Sequence, residues 1–288
     1  MTIQRDWGDR SNRKHARLKY TIEDRGLPAF QTEVERRSGV KLGKPKPFGF
    51  TSTGDGYGWT EGENGRAHLT LFIENGRIKD IPHAAICTGL RRIAENHDGE
   101  IRLTTNQNII IANVAPKKRA AIEALAVEHG LTAYASALRR NSMACVALPT
   151  CGLALAESER YLPSLVTALE ERLVANGLAE DEIVIRMTGC PNGCARPYLS
   201  EIGLVGKGPA RYNLYVGAAF DGSRLSKLYA EDLDHAGIIA KLDPLFAAYS
   251  ADRQPEERFG GFVIRAGFVA ATTNGADFHA NTGTQRTV

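Results

Sequence analysis

Apolar and polar residues alternate along several short stretches in the first half of the chain, with a period typical of half-buried strands. Residues 68–73 follow this pattern and lead into Asn75 and Gly76, a dipeptide that favours a tight hairpin turn. Residues 100–104 and 108–114 have the same strand-like character. The pattern therefore predicts three strands in this part of the chain.

Two stretches beside these strands have helical spacing instead. Residues 86–95 carry apolar side chains along one side of a helix. Pro116 is a favourable first helical residue, and the helix that it begins is predicted to run to His129 and stop at Gly130. The order strand, helix, strand, strand, helix is that of a ferredoxin-like unit.

The second half of the chain mixes helical and strand-like segments. Residues 154–176 predict a long helix that Pro163 kinks or divides and that Gly177 ends. Further strands are predicted at residues 183–187, 202–205, 212–216 and 258–268, with a helix at about residues 234–249. The final residues, 272–288, have little to bury and are predicted to be disordered.

The composition is that of an ordinary globular protein, since 43% of the 288 residues are hydrophobic and 24% are charged. A formal net charge of +3 is too small to indicate nucleic-acid binding. No apolar stretch is long enough to span a membrane, and no targeting segment is visible. A cytoplasmic protein is expected.

The basic residues are concentrated near the N-terminus, where residues 1–20 contain six lysines and arginines against two aspartates. Ser11 is a plausible N-cap, and Arg10, Lys14 and Arg17 have the spacing of one helical face. This pattern predicts a basic helix, and solvation of its charges is the simplest interpretation.

Four of the five cysteines occur in two close pairs, Cys145 with Cys151 and Cys190 with Cys194. Each iron of a four-iron cluster takes one protein thiolate, so four thiolates on short loops form a suitable ligand set. Both pairs lie in turn-prone sequence, which allows the thiols to face a common centre. Glycine and alanine beside the second pair allow the backbone to approach a bulky group.

Three other interpretations of the cysteines are open at this point: two disulfides, a structural zinc site, or unrelated core residues. Disulfides are disfavoured because no secretory signal opens the chain. Zinc sites favour pairs separated by two or four residues, and neither pair here has that spacing. The fifth cysteine, Cys87, has no partner at ligand spacing and is predicted to be a packed core thiol.

The sequences around the cysteines closely resemble the sulfite reductase hemoprotein family. The resemblance extends over nearly the whole chain apart from about the last fifteen residues. It is carried by QRDWGDRSNRKHARLKYTIEDRG, HLTLFIENGRIKD, RLTTNQNIIIANV, RRNSMACVALPTCGLALAESERYLP, RMTGCPNGCARPYLSEIGLVGKGPARYNLY and RFGGFVIRAG.

The resemblance implies two cofactors, a siroheme and a [4Fe-4S] cluster, that share one protein sulfur. It implies that Cys145, Cys151, Cys190 and Cys194 hold the cluster and that Cys194 also binds the siroheme iron. Asn106 and Gln107 are implied as siroheme pocket residues, although polar residues between two strands also make ordinary turn hydrogen bonds. Some of the N-terminal basic residues are candidates to meet siroheme carboxylates.

The implied fold is α+β, a ferredoxin-like half-domain followed by an α/β domain that binds siroheme and [4Fe-4S]. The expected division is a basic helical segment and linker over residues 1–60, the half-domain over 61–135, the cofactor domain over 136–268 and a disordered tail over 269–288. The chain resembles only the C-terminal half of the family. The basic residues that grip sulfite are expected in the N-terminal half, so no catalytic residue is assigned.

The implied activity is the six-electron reduction of sulfite to sulfide, with an NADPH-linked assimilatory enzyme favoured over a ferredoxin-dependent one. A siroheme nitrite reductase and a catalytically inactive metal-binding fragment are the alternatives. No flavin or nicotinamide motif is visible, and Gly203, Gly206 and Gly208 lack the strand-then-helix context of a dinucleotide site. The expected partners are a flavoprotein reductase that carries FAD, FMN and NADPH, and a separate N-terminal half.

Overall fold

The computed structural model describes residues 1–273 of the chain. These residues form two compact units, the first being Met1–Gly49 and the second beginning at Phe50. Among the described residues, no helix is both long and apolar enough to cross a bilayer.

The first unit consists of three helices, α1 (Thr2–Trp7), α2 (Leu18–Arg25) and α3 (Leu27–Ser38). Gln4 ties α1 to α2 and to the loop before it, because its side-chain amide donates to the Ala16 carbonyl at 2.8 Å and accepts from the Thr21 hydroxyl at 2.7 Å. Arg37 of α3 pairs with Asp6 of α1 at 2.7 Å. Polar contacts of this kind hold most of the unit together, since Ile3 and Thr21 are its buried residues.

The predicted basic helix that Ser11 would cap is wrong. Residues 10–17 contain no helix. The Asp9 carboxylate accepts the backbone N–H groups of Ser11 and Asn12 at 2.8 and 3.0 Å, and the Asn12 side chain accepts that of Lys14 at 3.0 Å. Such local side-chain hydrogen bonds compete with helix formation. Arg10, Lys14 and Arg17 therefore do not share a helical face.

The second unit begins with a four-stranded antiparallel sheet in the order β1-β2-β6-β5. Its strands are β1 (Gly58–Glu61), β2 (Ala67–Leu71), β5 (Glu100–Leu103) and β6 (Ile109–Val114). The helices α4 (Ile86–Asn96) and α5 (Pro116–Glu128) pack on it through a core that includes Leu69, Ile93, Ile111 and Ile122. This sheet agrees with the predicted ferredoxin-like order, to which β1 is an addition.

Asn75 and Gly76 form a turn but not the predicted hairpin. Both have left-handed backbone angles, with φ of 50° and 68°, inside the 3₁₀ turn Glu74–Gly76. The chain then leaves the sheet and forms a separate two-stranded ribbon, β3 (Asp80–Ile81) with β4 (Ala84–Ala85), so β2 pairs with β1 and β6 instead.

The rest of the second unit contains a five-stranded mixed sheet in the order β11-β10-β9-β8-β7. Strands β7, β8 and β9 are parallel, whereas β9, β10 and β11 are antiparallel. Their bounds are β7 Ser142–Ala144, β8 Ile185–Thr188, β9 Ile202–Gly208, β10 Arg211–Val216 and β11 Lys227–Leu233. The helices of this region are α6 (Ala137–Arg140), α7 (Leu162–Ala175), α8 (His235–Asp252) and α9 (Phe259–Arg265).

The predicted helix over residues 154–176 is shorter in the structure. Residues 154–161 are not helical, and Pro163 lies in the first turn of α7, where its fixed φ is favourable, rather than at a kink. The Leu155 and Ala156 N–H groups donate to the Gly189 carbonyl at 2.7 and 3.1 Å. Hydrogen bonds to a distant loop thus replace the helical ones.

The predicted strand over residues 258–268 is also wrong, because Phe259–Arg265 form helix α9. Phe259, Phe262 and Val263 are buried at i, i+3 and i+4, a helical spacing in a run rich in strand-favouring residues. Of the predicted disordered tail, residues 269–273 contain no helix or strand, and residues 274–288 lie outside the described part of the chain.

Candidate functional site

The two cysteine loops begin at the carboxyl ends of neighbouring parallel strands. Cys145 follows β7 directly, and Cys190 lies two residues after β8. Because β7 and β8 are paired in parallel, their following loops leave the sheet at the same edge. Crevices at the carboxyl ends of parallel strands are common ligand sites.

Hydrogen bonds tie the first cysteine loop to β8 and to the start of the second loop. The Cys145 N–H donates to the Met187 carbonyl at 3.1 Å, and the Gly189 N–H donates to Cys145 Sγ at 3.4 Å. Within the first loop, the Cys151 N–H donates to the Ala147 carbonyl at 2.7 Å. Ala147 has a φ of 46°, a left-handed angle that is unusual for alanine and that makes the sharp bend between the two cysteines.

The glycines of this region allow the loops to pack against the sheet. A Cβ atom at Gly189 would lie 2.5 Å from the Ala147 side chain, and one at Gly206 would lie 2.4 Å from the Gly189 carbonyl oxygen. At Gly203, a Cβ atom would lie 2.3 Å from the Pro197 carbonyl oxygen. Two glycines of β9 thus permit close contact between that strand and the second cysteine loop.

All four cysteines line a cavity of about 540 Å³, which we call the cysteine cavity. Its walls include Cys145, Cys151, Cys190, Cys194 and the side chain of Gln107. A single zinc ion requires every sulfur at about 2.3 Å from one point. Within residues 1–273, no three potential ligands converge in that way, and the cavity that the four cysteines line is large enough for a multi-atom group.

The pKa of the Cys194 thiol is affected by the three other cysteines of the cavity. Partial burial and then the proximity of Cys145, Cys190 and Cys151 raise the pKa of the Cys194 thiol. Cys190 is buried, Cys145 and Cys151 are half-buried, and Cys194 is exposed despite its partial desolvation. Cys194 is therefore accessible from outside the cavity that it lines.

The polar segment at residues 104–108 forms a turn, and some of its residues also line cavities. The Asp55 carboxylate accepts hydrogen bonds from Thr104 at 2.6 Å, from Asn106 at 3.2 Å and from Asn108 at 2.8 Å. Gln107, with a φ of 68°, donates to the Ala144 carbonyl at 2.9 Å. The buried Oε1 atom of Gln107 has no hydrogen-bond partner among the described residues.

A second cavity of about 370 Å³, here called the arginine cavity, shares Thr105 and Arg196 with the cysteine cavity. Asn106, Arg186 and Glu201 also line it. Arg186 and Glu201 were not predicted as site residues. The sequence contains one signal for Arg186, since it is a charged residue inside the apolar run that precedes Cys190. No local sequence feature indicates that Glu201 lines a cavity.

Two comparisons of domains agree with this architecture. Residues 60–129 match the nitrite/sulfite reductase ferredoxin-like half domain, and residues 1–42 match the nitrite and sulphite reductase 4Fe-4S domain. The second match contains no cysteine, and all four cysteines of the cavity lie outside both matches. Two stretches of this chain are thus similar to domains of nitrite and sulfite reductases.

More specifically, the chain is a homologue of sulfite reductase [NADPH] hemoprotein beta-components. It is 69% identical over 287 residues to that of Methylorubrum extorquens, covering 99% of this chain and 47% of the relative. It is 57% identical over 269 residues to that of Myxococcus xanthus, covering 93% of this chain and 48% of the relative. The chain spans about half the length of the curated relatives that it matches.

Among solved structures, the Mycobacterium tuberculosis NirA protein superposes with a TM-score of 0.75 at 25% identity, covering 92% of this chain and 50% of that one. The predicted family, the fold class and the pair of cofactors agree with these comparisons. The individual ligand roles remain predictions, although the structure gathers all four cysteines around one cavity.

Cys87 differs in part from its prediction. It lies on α4, away from the walls of the cysteine cavity, and is half-buried rather than a fully packed core thiol.

Proposed function

We propose that this chain is the cluster-bearing half of a siroheme sulfite reductase that converts sulfite to sulfide. The single observation that supports the proposal most strongly is the cavity enclosed by two cysteine pairs at the ends of two parallel strands. The relatives that are 69% and 57% identical to this chain are both named as sulfite reductases, which favours sulfite over nitrite as the substrate.

In this proposal, Cys145, Cys151, Cys190 and Cys194 hold a [4Fe-4S] cluster through their thiolates. Cys194 would also hold the siroheme, because it is the exposed member of the set. Asn106 and Gln107 contribute to the siroheme pocket from the two cavities.

When bound, the coupled centre would pass on electrons from an external donor, six of which with six protons convert sulfite to sulfide and three waters. The residues of this chain hold the sulfurs in place, exclude solvent from Cys190 and present cationic groups beside the cavity. The side chains that grip sulfite belong to the N-terminal half, which we propose as a partner in the same or a separate chain.

We further propose a flavoprotein reductase with NADPH, FAD and FMN as the electron donor. We also propose a cytoplasmic location, where cysteine thiols are kept reduced and available as cluster ligands.

The test is anaerobic purification of the chain from cells that synthesise siroheme, with iron, acid-labile sulfide, zinc and the visible spectrum measured together. We expect about four irons and four sulfides per chain, with siroheme absorption. Cys194→Ser should lose the siroheme signal, and Cys190→Ser should lose iron and sulfide.

Cys87→Ser is the matched control, because Cys87 does not line the cysteine cavity, and it should retain both cofactors. Stoichiometric zinc in place of iron in soluble, folded protein would contradict the proposed redox function.

A further inference from the structure

Within the part of the chain that the structure describes, Arg186 is a buried cation without an anionic partner. It is the second residue of β8 and is only 9% exposed. Among the described residues, its guanidinium makes one hydrogen bond, from Nη1 to Met143 Sδ at 3.4 Å, and takes part in no ion pair. A thioether sulfur is a weak acceptor that carries no charge.

A buried guanidinium without an anionic partner lowers the stability of the folded protein. A buried charge is normally paired or fully hydrogen-bonded, because desolvation without compensation is unfavourable. Burial and then the nearby Arg196 lower the pKa of Arg186 to about 10, so the side chain is still a cation at neutral pH. The protein therefore retains a charge that its described residues do not neutralise.

The carboxylates that share the arginine cavity are engaged elsewhere. Asp55 accepts hydrogen bonds from the polar turn at residues 104–108. Glu201 accepts the backbone N–H groups of Val184 and Gly260, at 3.0 and 2.8 Å. Asp221 accepts from the backbone and hydroxyl of Ser223, at 3.0 and 2.6 Å.

Arg196 supplies a second cation at the same place. It lies two residues after Cys194, its φ of 58° is left-handed, and its Nη2 donates to the Thr105 carbonyl at 3.4 Å. Arg196 lines both cavities, so the two arginines form a cationic site directly beside the four thiols.

We propose that Arg186 and Arg196 form an oxyanion-binding pair, and that its ligand is a carboxylate arm of the siroheme. The assignment rests on the proposed function. Guanidinium groups bind carboxylates through charge-assisted hydrogen bonds. Arg196 lies two residues after Cys194, the residue that would also hold the siroheme, and it lines both cavities. A free oxyanion such as sulfite has the same recognition chemistry and is the alternative source.

The experiment compares Arg186→Met, Arg186→Lys and Arg196→Gln with the wild-type chain. Siroheme retained per chain after gel filtration, iron and sulfide content, and the melting temperature of the cofactor-free protein are measured for each. Arg211→Gln is the control, because Arg211 is a solvent-accessible arginine on β10 that pairs with Asp232 outside both cavities.

We expect Arg186→Met to lower siroheme retention about tenfold or more at unchanged iron and sulfide, since one charge-assisted contact is lost. Arg186→Lys should retain part of the binding. The melting temperature of cofactor-free Arg186→Met should stay the same or rise, because a buried unpaired charge has been removed. A purely structural role for Arg186 predicts the opposite, a lower melting temperature with no specific loss of siroheme.

Calorimetric titration of the cofactor-free chain with sulfite distinguishes the source of the oxyanion. Loss of sulfite binding in Arg186→Met with unchanged siroheme retention would assign the pair to the free anion. Unchanged retention and unchanged sulfite binding would overturn the proposal. If the wild-type chain holds iron and sulfide but no siroheme, the proposed function fails in part, and the sulfite titration alone decides the role of the arginines.

Discussion

At the scale of single residues, Glu201 is a carboxyl group held wholly inside the protein. Its two oxygens accept the backbone N–H groups of Val184 and Gly260, which joins the segment before β8 to helix α9. These hydrogen bonds favour the ionised form, but burial has the larger effect and raises the pKa of Glu201 to about 7. Glu201 is therefore expected to make folding pH-dependent.

A carboxyl group whose pKa is higher in the folded state binds its proton more tightly there than in the unfolded chain. The contribution of Glu201 to the free energy of unfolding is thus fully present below the ordinary pKa of 4.5 and is lost as the pH rises through about 7. Thermal unfolding of Glu201→Gln between pH 4.5 and 7.5 should depend less on pH than that of wild type. Glu180→Gln, at an exposed position, should keep the wild-type slope, and an equal slope in Glu201→Gln would contradict the prediction.

A second prediction concerns the glycine contact between β9 and the cysteine loop. Gly206→Ala should lower the free energy of unfolding by more than about 2 kcal/mol, because the new Cβ meets backbone that cannot move independently. That Cβ would lie 2.4 Å from the Gly189 carbonyl oxygen. Gly208→Ala is the matched control on the same strand, since nothing lies within 4 Å of its Cβ position. Chemical denaturation of both variants tests this, and equal losses would refute the close-packing argument.

At the scale of the elements, the cysteine site depends on two short parallel strands more than on the helices. Strand β7 has three residues and β8 has four, yet their pairing brings two loops together that are 38 residues apart in the chain. Helix α7 lies between them in sequence and buries Leu165, Leu169 and Leu173 in the core, which supports the parallel connection.

The N-cap of α8 gives a prediction at this scale. The Asp234 side chain accepts the Gly237 N–H at 2.8 Å and also lies at the positive end of the helix. Asp234→Ala should lower the free energy of unfolding by about 1 kcal/mol. Asp252→Ala, at the last residue of the same helix, should have little effect or stabilise slightly. Urea denaturation of the two variants compares them, and a larger loss in Asp252→Ala would contradict the capping role.

At the scale of the whole molecule, the chain spans about half of its curated relatives. Under the proposed function, the cofactor-loaded chain alone should reduce sulfite at least about 100-fold more slowly than the chain supplied with an N-terminal half, because the proposal places the charge-stabilising donors for sulfite in that half. Oxidation of reduced methyl viologen by sulfite measures both rates at equal iron content. Full activity of the chain alone would show that the grip on sulfite lies within these 288 residues.

Local sequence patterns are enough to predict most of the first half of the second unit. The spacing of apolar residues predicts α4, α5, β2 and β6, and Gly130 marks the end of α5. The resemblance around Cys145, Cys151, Cys190 and Cys194 also identified the family and the two cofactors.

Features that depend on contacts between distant parts of the chain are visible in the three-dimensional structure and not in the sequence. Residues 154–161 are not helical because their polar groups bond to the second cysteine loop, and residues 10–17 are not helical because Asp9 caps their backbone N–H groups. The cavity lined by the four cysteines follows from the parallel pairing of β7 with β8. The same pairing buries Arg186, whose charge no described residue neutralises. The spacing of apolar residues predicts which face of a helix or strand is buried. It does not predict which distant residues that face contacts.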